Sequence, residues 1–256
     1  MEMELLAFGC GLFQAPRRFF VGGDGDEMIQ VPVPAWLVRH PVKGMAVFDT
    51  GLDHRFVRET DLPADAVDFD FRAGEDMPAR MQAAGFDPAA VNWVINSHLH
   101  ADHCGGNKGF PNATVVVQRR EWDAARRNEN GRSYNPADFD LGQPRLEIEG
   151  EHDLFGDGTL VLFPTYGHTP GHQSARVRLP GGEVVLTADC CYWEEGLDAL
   201  VVPGINLDRE ASLGVLKHLQ AMRASGIKLL FGHDPVQWQS IRKGEPIRFG
   251  AGGLGR

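Results

Sequence analysis

The chain has no C-x-x-C pair, no apolar run approaching the ~20 residues that a spanning helix needs, and no excess of basic charge. The first absence excludes a thiolate zinc knuckle, and the second excludes a transmembrane anchor. With 35 acidic against 25 basic residues the formal charge is −10, which argues against a polyanionic partner, since phosphate binding needs a basic stripe. Arg119, Arg120, Arg126 and Arg127 do cluster, but they alternate with Glu121 and Asp123 as on a solvated helix face. The four cysteines, Cys10, Cys104, Cys190 and Cys191, are too few and too irregular for a disulfide framework. The opening MEMELLAFGCG carries no basic segment before its apolar stretch, so it does not read as a secretory signal. With reduced thiols, this suggests a cytoplasmic protein. No fixed period repeats along the chain.

What remains is ordinary globular usage: 256 residues, 43% hydrophobic and 23% charged, with 15 Phe and 5 Trp. A chain of this length buries enough surface to form a core without a staple. Short apolar runs broken by Gly and Pro read as strands at 36–40, 44–51, 91–97, 113–118, 159–165, 174–180, 183–189 and 228–234, with Pro180-Gly181-Gly182 turning a hairpin. Helical patterns fall at 76–85, 119–127 and about 208–225. The last has Asp208 as N-cap, Ala211, Val215, Leu219 and Met222 on one face, and Gly226 as its stop. We therefore expect a single α+β domain over residues 1–256, two sheets flanked by helices, with a loose tail from about 250.

The chemistry concentrates in NSHLHADHCGG, residues 96–106. His98 and His100 are two apart, with Asp102 and His103 directly after. Strand alternation puts His98 and His100 on one side and Leu99 on the other, and a turn presents Asp102 and His103 to a neighbouring position. As merely structural groups, each of the four would need its own buried partner. One ion does not comfortably take all four from so short a loop, whereas two ions a few Å apart share them. His168, in a Gly/Pro-tightened loop, Asp189 and His233 each lie at or just past a strand end and supply further ligands. Five imidazoles and two carboxylates suit zinc, manganese, cobalt or iron, and not calcium or magnesium.

His98-x-His100-x-Asp102-His103, followed by His168, Asp189 and His233, resembles the metallo-β-lactamase superfamily over nearly the whole chain. SHLHADHCGGN, TPGHQS, LTADCCY and LFGHD are similar to the N-acyl-homoserine lactone lactonases within it. The resemblance implies an αββα sandwich and two divalent ions, zinc first. His98, His100 and His168 would hold one, Asp102, His103 and His233 the other, and Asp189 would bridge them. It implies that a hydroxide held between the ions, available near neutral pH because bound water falls from pKa 15.7 to about 7 on zinc, opens the lactone ring. Tyr192, three residues after Asp189, would hydrogen-bond the carbonyl oxygen and the tetrahedral intermediate, and Asp102 would pass a proton to the leaving alkoxide.

Other candidates are secondary. His172 is expected to brace His168 or its loop, Asp49 to fix a loop or a ligand, and His40, His54, His152 and His218 to lie on the surface. Cys190 and Cys191 read as small packing residues. Phe8, Leu12, Phe13, Phe19, Phe20, Phe69 and Phe71 form either a wall for an acyl chain or core and subunit packing. The expected partner is a small-molecule substrate, an acyl-homoserine lactone, with neither nucleic acid nor membrane, on a monomer or homodimer. The competing readings are another hydrolase of the same fold (general lactonase, thioesterase or β-lactamase), an iron persulfide dioxygenase, and a non-enzymatic binding module. Retention of all seven ligand candidates favours catalysis.

Overall fold

The structure, a computed structural model, describes residues 2–57, 69–129, 134–202, 204–250 and 253–254. Alternation along two long strands, β1 (Glu4–Pro16) and β2 (Met28–His40), sets the layers. Leu5 and Ala7 of β1 and Trp36 and Val38 of β2 enter one core, while Leu6, Phe8, Cys10, Ala35 and Leu37 enter a second on the opposite side. Five more strands, β3 (Gly44–Phe48), β4 (Phe69–Asp70), β5 (Val91–Ile95), β6 (Thr114–Gln118) and β7 (Arg145–Ile148), complete a sheet of order β4-β1-β2-β3-β5-β6-β7. The run β3-β5-β6-β7 is parallel. The second sheet comprises β8 (His152–Asp153), β9 (Leu160–Pro164), β10 (Gln173–Leu179), β11 (Gly182–Ala188) and β12 (Lys228–Phe231), in order β12-β11-β10-β9-β8, with β11 and β12 parallel.

The sheets face each other across Leu5, Trp36, Phe48 and Ile95 on one side and Leu160, Leu162, Val184 and Leu186 on the other. The helix Met77–Ala83 covers the outer face of the first sheet with Met77 and Met81, and Arg209–Ala224 covers the second with Leu216 and Leu219. This is the expected αββα order. Among the described residues no helix is long and apolar enough to cross a membrane.

Several local expectations need adjustment. The first strand, β1, is not among the expected ones: its glycines and Pro16 obscure a pairing with β2 that shifts register between Gly9 and Leu12. The helix Arg209–Ala224 is capped by Asp208 as expected, but its buried face is Ser212, Leu216 and Leu219, with Val215 and Met222 only partly covered. The shift follows from Ser212, which lies against Gly167: a Cβ there would come within 2.0 Å of Ser212 Oγ. Of the four histidines assigned to the surface, His54 and His218 are exposed, whereas the His40 side chain is 8% exposed, packed 4.9 Å from the Phe155 ring and bound to Asp157. From residue 249, where a loose tail was expected, Phe249–Gly250 pairs with Gly253–Leu254; the rest of the tail falls outside the described residues.

Removing Leu186 side-chain volume between the sheets should cost about 2–5 kcal/mol. Urea unfolding of Leu186→Ala, with midpoint and slope compared to wild type, measures it.

Candidate metal centre

Strand C-termini deliver the seven candidate ligands to one edge, outside the carboxyl ends of the parallel strands. β5 leads into His98 and His100, and the short helix Ala101–Cys104 carries Asp102 and His103. That helix ends on Gly105 and Gly106, where a Cβ would come within 2.4 Å of Ala101 O and 2.3 Å of Thr50 O respectively, so only glycine lets it lie against the turn after β3. His168 comes from the β9–β10 connection, Asp189 from the end of β11 and His233 from the end of β12. Two non-glycine residues beside the site hold positive φ, Asp49 at 57° and Ala188 at 47°. They turn the chain where β3 and β11 stop, a conformation sustained only by surrounding structure.

The side chains form two groups that share one carboxylate. In the first, His98 Nε2, His100 Nδ1 and His168 Nε2 lie 3.0, 3.1 and 3.2 Å from one another. Tetrahedral ligands at the usual zinc–nitrogen distance would stand about 3.3 Å apart. In the second, His103 Nε2 and His233 Nε2 each lie 3.1 Å from Asp189 Oδ1, and Asp102 Oδ2 stands 3.5 Å and 3.9 Å from those nitrogens. Asp189 Oδ2 faces the first group, 3.4 Å from His168 Nε2 and 3.9 Å from His98 Nε2. Asp102 is the most open of the seven, with 14% of its side chain exposed.

Outward hydrogen bonds aim the imidazoles. His168 Nδ1 donates to Ile205 O at 2.7 Å, His233 Nδ1 to Pro32 O at 2.7 Å and His103 Nδ1 to Asp49 Oδ2 at 2.8 Å. His98 Nδ1 donates to Ser97 Oγ at 3.0 Å, and Ser97 Oγ donates in turn to Asp49 Oδ2 at 2.8 Å. In the neutral ring each bond commits one nitrogen and leaves the other as a lone pair toward the centre. Burial, reinforced by His168, pushes His100 down to about 3; burial and the neighbouring rings hold His98 well below its ordinary value. Both are therefore neutral donors. For His103, burial is outweighed by Asp189, Asp102 and Asp49, which raise it well above the usual imidazole range.

The donors fit a pair of divalent cations on an observation independent of spacing. Among the described residues, His103 Nε2 and Asp189 Oδ1 are buried and meet no hydrogen-bond partner in good geometry, although only 3.1 Å apart. Unpaired buried polar atoms are costly, and a cation between these two would satisfy both.

Tyr192, 4% exposed, stands over the site with its ring 5.3 Å from His233 and 6.0 Å from His168, and its hydroxyl 3.5 Å from His168 Nδ1. Burial first, then Asp189 and Asp102, raise its pKa well above the ordinary phenol value, so it keeps its proton and remains a donor. The aromatic candidates separate. Phe13 and Phe20 lie 6.2 and 6.3 Å from the His233 ring, with Phe69 5.4 Å from Phe13, whereas Phe8 and Phe71 enter the core under the helix Met77–Ala83.

His172 braces the loop of His168, as expected, and reaches Asp189 as well: Nδ1 donates to Thr165 Oγ1 at 2.8 Å, and Nε2 accepts the backbone amide of Asp189 at 3.1 Å. Sequence reading missed Glu121, which was placed on the solvated face. The arginines around it are exposed as expected, but Glu121 is fully buried. Its signal was present in the helix period: Glu121 shares a face with Ala124 and Ala125.

The metallo-beta-lactamase superfamily model matches residues 28–233, most of the chain. The chain belongs to the metallo-β-lactamase superfamily. Among its relatives, the N-acyl homoserine lactonase AttM of Azorhizobium caulinodans is 35% identical over 86% of this chain and 88% of its own. The N-acyl homoserine lactonase AiiA of Bacillus thuringiensis subsp. kurstaki is 30% identical over 84% and 86%. A solved N-acyl homoserine lactone hydrolase with the product N-hexanoyl-L-homoserine at its catalytic metal centre superimposes with a TM-score of 0.83, at 26% identity, over 96% of this chain and 100% of that one. This superfamily member is an enzyme of the metal-dependent hydrolase type.

The two cysteines beside Asp189 take no part in the donor groups. All four thiols are free and buried, and burial raises each, Cys190 to about 12. At pH 8 the folded protein should therefore give no reaction with 5,5′-dithiobis(2-nitrobenzoate), and four thiols should titrate once it is denatured.

Proposed function

We propose that this protein hydrolyses the lactone ring of N-acyl-homoserine lactones, with two divalent cations, zinc first among them, held by the two donor groups. In this reading His98, His100 and His168 hold one ion, Asp102, His103 and His233 the other, and Asp189 serves both. The observation that carries it is the shared carboxylate between two buried donor sets, with a protonated phenol 3.5 Å from one of their histidines. The lactonases to which the chain is similar support the choice of substrate.

The cations, when bound, supply Lewis-acid polarisation of the ester carbonyl and a water acidic enough to attack at neutral pH. The chain does the rest. Tyr192 donates its O–H to the oxygen that gains charge as the carbonyl carbon becomes tetrahedral. Asp102, at the open side of the site, carries a proton to the ring oxygen as the C–O bond breaks. Water is thus added across the ester, giving a carboxylate and a free hydroxyl. Phe13, partly exposed beside His233, offers an apolar surface to the acyl chain. Both sheets contribute donors and share one core, so we read them as one domain. Four reduced, buried cysteines suit the cytoplasm.

Incubation with acyl-homoserine lactones of increasing chain length, alongside thioester and β-lactam controls and read by a pH indicator, should show acid release from the lactones only. Prior removal of metal with a chelator should abolish it, and added zinc should restore it. Release from a thioester or β-lactam with inert lactones would overturn the substrate assignment. Tyr192→Phe should lower kcat by about 10²–10³-fold. Asp102→Asn should lower it by at least as much; a fully active Asp102→Asn enzyme would remove the proton-transfer role.

A further inference from the structure

Glu121 is 0% exposed and sits in the first turn of the helix Arg119–Arg127, directly beneath the ligand loops. All four of its hydrogen bonds come from donors. The Leu99 amide (3.0 Å) and the Tyr134 hydroxyl (3.0 Å) reach Oε1, and the Thr169 hydroxyl (2.7 Å) and the Gly171 amide (3.0 Å) reach Oε2. Among the described residues no cation pairs with it. A carboxylate buried without a counter-charge is expensive unless its lone pairs are filled, and here they are.

The identity of the donors gives the arrangement its meaning. Leu99 is the residue between His98 and His100, so its amide fixes the segment after β5 from which both imidazoles project. Thr169 follows His168, and Gly171 closes the same loop; Gly171 approaches so closely that a Cβ would lie 2.1 Å from the Glu121 amide nitrogen. Tyr134 adds a backbone bridge to His100, with its ring 5.5 Å from the His100 ring. One oxygen therefore holds the loop of His98 and His100, and the other holds the loop of His168. None of the four donors belongs to Asp102, His103 or His233; Asp49 orients His103 and the Pro32 carbonyl orients His233.

We infer that Glu121 is a positioning residue: it staples two separate loops into one donor trio, His98, His100 and His168, and so sets the cation affinity of that trio and not of its neighbour. The inference rests on the reading of this trio as a metal position. Carboxylates at one remove from a ligand typically contribute 10–100-fold to affinity. Glu121→Gln preserves side-chain length but offers an NH₂ where a backbone amide donor must be met, so one contact of the four is lost and another opposed.

The test is zinc titration of the metal-free protein against a chromophoric chelator. Wild type should bind two equivalents. Glu121→Gln should weaken one of them about 10–100-fold and leave the other unchanged. The melting temperature of each metal-free protein is recorded in parallel. A purely structural Glu121 predicts a lower melting temperature with both equivalents unchanged or weakened together, and that result would overturn the inference. Should Glu121→Gln fail to fold, Thr169→Val removes one donor and Thr169→Ser restores it. Selective weakening in the first with recovery in the second supports the staple, and equal binding by both overturns it. Wild type binding fewer than two equivalents would defeat the two-cation reading and this inference together, whereas two unaltered equivalents in Glu121→Gln would defeat this inference alone.

Discussion

Everything in this structure answers to one awkward demand: lone pairs of several imidazoles and carboxylates must point at one another inside a dry pocket. His98, His100 and His168 bring ring nitrogens to within 3.0–3.2 Å with no proton between them to relieve the approach when all are neutral. No rotamer preference would choose this. The molecule holds it by occupying the far side of four rings with Ile205, Pro32, Asp49 and Ser97, and by packing the loops so closely that glycine is required at Gly105, Gly106 and Gly171. Positive φ at Asp49 and Ala188 is part of the same cost.

The sandwich makes that cost tolerable. Each sheet contributes ligands from the same edge, and the core between the sheets, Leu5 to Leu230, is apolar throughout. The ligand atoms are thereby gathered at one rim, where Tyr192 and Phe20 are buried edge to face with Phe13 partly exposed beside them. Rigidity comes from the sheets and variety from the loops, the division of labour expected of a scaffold that hosts a site at strand ends.

Much of this was legible in the amino-acid order because ligand chemistry is local. His98-x-His100-x-Asp102-His103 compresses four donors into six positions, and strand endings at Asp189 and His233 follow from apolar runs that stop abruptly. The helix over 119–127 and the Asp208 cap were equally readable, since period and cap lie within one turn. What escaped was whatever depends on the partner across the fold. Glu121 reads as surface among four arginines; only the arrival of the 165–172 loop, some fifty residues on, makes its face an interior one. The helix Arg209–Ala224 turned its face by one residue for the same reason, because Ser212 meets Gly167. His172 braces the His168 loop as the sequence suggests, but its second bond, to the Asp189 amide, depends on β-pairing that brings the end of β11 beside it.

The bond from His233 to the Pro32 carbonyl spans 201 positions. A ribosome makes this chain from its amino end, and domains of such long-range contact close slowly. By the time residue 168 has emerged, the three imidazoles of one trio already exist, with Glu121 behind them. The other trio cannot close until His233 has been added, more than sixty residues later. The two halves of the centre are thus unequal in birth order, and the shared Asp189 is translated between them.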